Sequence, residues 1–105
     1  PIVTGAGLPA VARAEAAYRT GRARQAQENW DDAIRHFRLA ADSPGDPLAK
    51  WGPWSVYHVG EVHEATGDLD AAEARYREVL QNEAEFDYHK SLEQRTRAAL
   101  ERIGR

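Results

Sequence analysis

Four side chains that could bind a metal or move a proton stand close together in this chain: His58, Glu61, His63 and Glu64. On a helix His58 and Glu61 share a face, while His63 and Glu64 turn away from His58. The His-Glu-x-x-His spacing of zinc hydrolases is absent, and no second group of donors completes a tetrahedral site. These histidines are expected to be solvated or groove-facing, with no metal and no cofactor. His36 and His89 stand alone. The chain has no cysteine, which excludes disulfides and thiolate metal sites. It has no glycine-rich phosphate loop and no Gly-x-Ser-x-Gly elbow. Asp31 and Asp32 form a carboxylate pair, but a place in the first turn of a helix explains them through the helix dipole. The chain is expected to catalyse nothing.

Binding is the class that remains, and charge limits the partner. The formal net charge is −3, unevenly spread: residues 1–52 carry seven Lys/Arg against six Asp/Glu, residues 53–105 seven against eleven. An acidic second half argues against a nucleic-acid footprint, which needs a basic face. Arg13, Arg19, Arg22 and Arg24 cluster near the N-terminus, where a solvated helix face is the simpler reading than a phosphate or RNA site. No apolar run approaches the roughly 20 residues that span a bilayer, and no signal segment opens the chain. Neither nucleic acid nor membrane is expected as a partner. A soluble, cytoplasmic setting is favoured, with the compartment otherwise open. The chain begins at Pro1 and contains no methionine, so a processed chain or a piece of a longer protein is expected.

The elements that must position these side chains are helices. Alanine, arginine and glutamate dominate, while valine and isoleucine are scarce and never alternate, which points to an all-α domain. Residues 1–8, with Thr4, Gly5 and Gly7, read as a flexible lead-in to one domain over 9–105. Pro9 suits the first turn of a helix running to about Gln27. Asn29 caps a second, whose stripe is Trp30, Ala33, Ile34, Phe37 and Ala40, and which ends near Asp42 before Ser43-Pro44-Gly45-Asp46-Pro47. Residues 46–52 leave room for one short helical turn. Gly52-Pro53 starts a third helix, with proline at its first position, and Gly67 ends it in the left-handed conformation. Asp68 caps the fourth, carrying Leu69, Ala72, Tyr76, Val79 and Leu80. A fifth spans about Asp87 to Ile103.

Four matched pairs share one offset of 39 residues: Gly21 and Gly60, Trp30 and Leu69, Ala33 and Ala72, Phe37 and Tyr76. The chain therefore holds two copies of one helical hairpin. Glycine and alanine let the antiparallel helices approach, and the large residues fill the groove beside them. A bulky side chain at Gly60 or Ala72 is expected to cost roughly 1–3 kcal/mol by overpacking.

With Gly60, Gly67-Asp68-Leu69, Ala72, Tyr76 and Val79 in that order, the second copy (about 53–86) resembles the tetratricopeptide repeat, or TPR. The first (about 14–47) has Gly21, Trp30, Ala33, Phe37 and Ala40 in register but places Glu28 where the turn glycine is usual. The family repeat is about 34 residues, so an insertion of about five falls between the hairpins, in the 43–54 region. The usual closing proline of the second copy is missing, with Ala84 nearby. The last helix, about 87–103, resembles the first helix of a third copy acting as a cap. The resemblance implies a right-handed α-solenoid of antiparallel helical hairpins, five helices in all.

It also implies a function: a protein–protein interaction module whose first helices line a concave groove for a peptide or partner helix. Carried onto this chain, the groove residues are Tyr18, Arg22 and Gln25, then Trp54, Tyr57, Glu61 and Glu64, then Tyr88, Ser91 and Arg95. Packing between hairpins is an equal reading for Tyr18 and Tyr57. The lysine and asparagine with which the best-known members clamp a C-terminal carboxylate are not in place. Trp51 and Trp54 are expected to fold back and plug the gap left by the insertion, with recognition as the alternative. The competing account of the whole chain is self-association, a homodimer or end-to-end packing within a longer repeat protein. A weaker third idea is regulation of a catalytic domain fused upstream.

Overall fold

The computed structural model describes residues 10–42, 51–81 and 89–105. Among them are five helices and no strand: α1 (Ala10–Ala26), α2 (Trp30–Asp42), α3 (Trp51–Ala65), α4 (Leu69–Gln81) and α5 (His89–Arg102). The lead-in, most of the expected insertion and Tyr88 lie outside the described residues. Helix α3 begins two residues before the expected start, so Pro53 occupies its third position. Nothing is lost, because the first four N–H groups of a helix have no intrahelical acceptor and proline lacks only that group.

Helices α1, α3 and α5 end in the same way. The residue at the turn is left-handed in each: Glu28 (φ 60°), Gly67 (φ 88°) and Gly104 (φ 78°). The amide that follows reaches back five residues, Asn29 to the Arg24 carbonyl, Asp68 to His63 and Arg105 to Leu100, each at 2.9 Å. This arrangement satisfies carbonyls that would otherwise be orphaned at a helix end. Two of the turns lead at once into another helix, and the Asp68 carboxylate caps α4 by accepting from the Ala71 amide at 3.1 Å.

Both hairpins close through the same contact. A methyl group on Gly21 would lie 2.6 Å from Phe37 Cδ1, and one on Gly60 would lie 2.6 Å from Tyr76 Cε1. The glycines thus admit an aromatic ring from the second helix where no side chain fits, which is why the offset pairs a glycine with an aromatic. Ala33, Phe37, Val59 and Val62 form one buried cluster, joining the first hairpin to α3. Tyr57, Ala72, Tyr76, Val79, Leu92, Ala99 and Leu100 form the other, joining the second hairpin to α5. Helix α3 serves both cores, with Val59 and Val62 turned to one and Tyr57 to the other.

Candidate functional site

Tyr18, Arg22 and Gln25 recur at steps of four and three and so occupy one face of α1. That face meets His58 and Glu61, the i,i+3 pair of α3. The Tyr18 hydroxyl is 3.0 Å from His58 Nε2, and His58 Nδ1 is 2.5 Å from Glu61 Oε1. A carboxylate can only accept, so Nδ1 carries the proton and Nε2 accepts from Tyr18. Gln25 donates to the same Glu61 oxygen at 3.1 Å. Arg22 Nη1 donates to the Gln25 carbonyl oxygen at 3.3 Å and lies 3.8 Å from Glu61 and 3.1 Å from His58 Nδ1. A guanidinium cannot bond to a protonated nitrogen, so Glu61 and Gln25 hold Arg22 against the imidazole.

His58 is only 4% exposed, among the rings of Phe37 at 5.4 Å, Trp54 at 6.0 Å and Tyr57 at 5.2 Å. Burial lowers its pKa below the ordinary histidine value; Glu61 opposes this, and Arg22 and Arg95 reinforce it. The ring is therefore neutral at pH 7. Burial pushes the Glu61 carboxyl up, but bonds from His58 and Gln25 and the charge of Arg22 outweigh it and hold the group below its usual value. Burial raises the pKa of the Tyr18 hydroxyl, so it remains a donor.

The remaining residues fall around this centre. Trp51 packs on Tyr18 with ring centroids 5.0 Å apart, and Trp54 stacks on His58, so both indoles lie against the α1–α3 seam. From α5, the Arg95 guanidinium stands 5.7 Å over the Trp54 ring. Tyr57, expected to line the groove or to pack, is 5% exposed. It packs: its ring lies 5.7 Å from Tyr76, covered by core neighbours, which removes it from the open face. Glu64 belongs to a separate cluster one turn on, accepting from the Tyr76 hydroxyl at 2.9 Å and from Arg102 at 2.7 and 2.8 Å. Ser91 is exposed on α5.

The structure thus brings together Tyr18, Arg22, Gln25, Trp54, Glu61 and Arg95 around a residue the groove assignment omits, His58. The signal for it is the shared face of His58 and Glu61, which a search for metal ligands reads only as an incomplete site. Both ring nitrogens of His58 are engaged, which leaves no lone pair free for a metal or a substrate proton. Among the described residues no group of three or more His, Asp or Glu could hold a metal ion. Nor is any helix among them long and apolar enough to cross a membrane. No family model, curated protein or solved structure matches the chain.

Proposed function

We propose that this chain is a TPR-like solenoid of two hairpins and a capping helix, whose α1–α3–α5 face binds a peptide or partner helix. Two features support the architecture: the same glycine–aromatic approach in both hairpins, and the same left-handed ending on α1, α3 and α5. One observation carries the function. Aromatic and polar side chains from three separate helices converge on one face and hold each other in place through Tyr18, Arg22, His58, Glu61, Trp54 and Arg95. Side chains ordered in advance by their neighbours lose little further entropy on binding, which is what a recognition surface requires.

The outward residues of α5, Lys90, Gln94, Arg97 and Glu101, are polar and exposed. That is the composition of a terminal solenoid helix rather than of an apolar end awaiting a second copy, so peptide binding is preferred over self-association. A random-peptide library panned on the wild-type chain tests the reading. Selected peptides should lose binding with Ser91→Tyr, which obstructs the face, and keep it with Ala74→Tyr on the exposed side of α4. Peptides indifferent to Ser91→Tyr would refute the face as the binding surface.

A further inference from the structure

Folding sorts charge by helix. Helices α1, α3 and α5 together carry eight Lys/Arg against five Asp/Glu, whereas α2 and α4 carry four against six. The depth of each charge matters more than the count. On the α1–α3–α5 face the two carboxylates of α3 lie low and guanidiniums stand above them. The Glu61 side chain is 29% exposed beneath Arg22 at 50%, and that of Glu64 is 23% exposed beneath Arg102 at 52%. Arg95 is also exposed, and its charge rests on the face of Trp54. An incoming chain therefore meets guanidiniums before it meets carboxylates, although the protein as a whole is acidic. Arg22 lies 3.1 Å from His58 Nδ1, and Arg95, from another helix, lies over the Trp54 ring that stacks on His58, so the two converge on one place.

We propose that the segment bound on this face is acidic, its Asp or Glu side chains received by Arg22 and Arg95 on either side of the His58–Trp54 stack. This rests on the binding face proposed above and adds the chemistry of its occupant. The guanidinium fork donates two parallel hydrogen bonds to a carboxylate. An indole beneath the Arg95 fork holds its plane, so less freedom is lost when the bond forms. A nucleic acid fits less well: α3, the central helix of the face, has no Lys or Arg and contributes two carboxylates, which interrupts a phosphate track.

Composition of the selected peptides tests this separately from the face itself. Peptides that lose binding with Ser91→Tyr should be rich in Asp and Glu. Synthesised with both ends blocked, they should bind at least about tenfold more weakly to Arg22→Glu and to Arg95→Glu, while Arg97→Glu, away from the stack, should leave them unchanged. Thermal melts of each variant show that the fold is retained. Face-dependent peptides that are neutral or basic, or that ignore both arginine reversals, would overturn the acidic occupant and leave the binding face standing. Failure of Ser91→Tyr to affect any peptide would overturn both. Tighter binding of an oligouridine than of every selected peptide, with a steep salt dependence, would overturn the proposal in favour of a nucleic acid.

Discussion

The two hairpins share a frame and differ in how it is finished. In the second, Tyr76 fills the space above Gly60 and its hydroxyl bonds to Glu64, which is itself held by Arg102 of α5. Arg105 adds ion pairs to Asp70 and Glu73 of α4 at 2.8 and 2.9 Å. In the first, Phe37 occupies the place of Tyr76 without a hydroxyl, and Gln25 stands at the position of Glu64. Gln25 reaches across to Glu61 of α3 instead. The second hairpin thus uses its polar groups to fasten itself to α5, and the first uses them to build the seam with its neighbour. Identical packing has been given two different polar tasks.

The largest expected effect tests that difference directly. An added methyl at either glycine meets an aromatic ring at 2.6 Å, but the rings are not equally free to move. Tyr76 is tethered at its hydroxyl and Phe37 is not. Gly60→Ala should cost about 2 kcal/mol, the overpacking strain less the gain in helix propensity, and Gly21→Ala about 1 kcal/mol. Urea denaturation of both variants measures it, and equal losses would show that the tether is irrelevant. Tyr76→Phe, which makes the second hairpin like the first, should cost about 1.5 kcal/mol by removing a hydrogen bond to a charged acceptor. With the tether gone, adding Gly60→Ala should then cost no more than Gly21→Ala does, a coupling that a double-mutant cycle reads.

Much of this frame is legible in the residues themselves. A glycine and an aromatic repeated at one offset report a helix–helix approach too close for a side chain, and Gly67 before Asp68 reports a stop and a cap. What is less legible is which polar side chains a neighbouring copy captures. Glu61 and Glu64 are equivalent on paper, three residues apart on one helix. One is drawn to α1 and the other to α5 because the helix passes between two neighbours. Tyr57 and His58 show the same limit: adjacent on α3, both end buried, one in the second core and one in the seam. The split of charge between the halves of the chain likewise conceals a split between first and second helices that appears only when the hairpins stack.

The α1–α3 seam and the α3–α5 contact should also part company with pH. His58 is buried neutral, with its pKa below the ordinary value of 6.5. As pH falls below 6.5 the unfolded chain takes up this proton before the folded one does, so stability drops across that window until the folded pKa is reached. His58→Gln should reduce the dependence there to the part left by His63, whose pKa burial also lowers, as urea midpoints at a series of pH values would show. Glu61 and Glu64 act in a lower window: their folded pKa values are depressed, so the stability they contribute is lost as pH falls from their ordinary value through the folded one. Glu64 is fastened to the second hairpin, so Glu64→Gln should lower stability at neutral pH and flatten the dependence only in that lower window. A loss near pH 6 that is undiminished in His58→Gln would assign the effect to His63 or another group.

The smallest effect concerns the turns. Glu28 and Gly67 occupy the same place, each left-handed at the end of a first helix. A side chain in that conformation costs about 1–2 kcal/mol, and glycine avoids this at the expense of a more disordered unfolded chain, about 0.4–1 kcal/mol. Glu28→Gly should therefore stabilise the protein by about 0.5–1 kcal/mol, and Gly67→Ala should destabilise it by a similar amount. Glu28 is exposed, and the backbone bonds of the turn, Glu28 N–H to the Gln25 carbonyl at 3.0 Å and Asn29 N–H to that of Arg24, need no side chain. Thermal melts of the two variants suffice. A destabilised Glu28→Gly would mean that the glutamate side chain contributes something there that outweighs its backbone strain, and that the two turns are not equivalent.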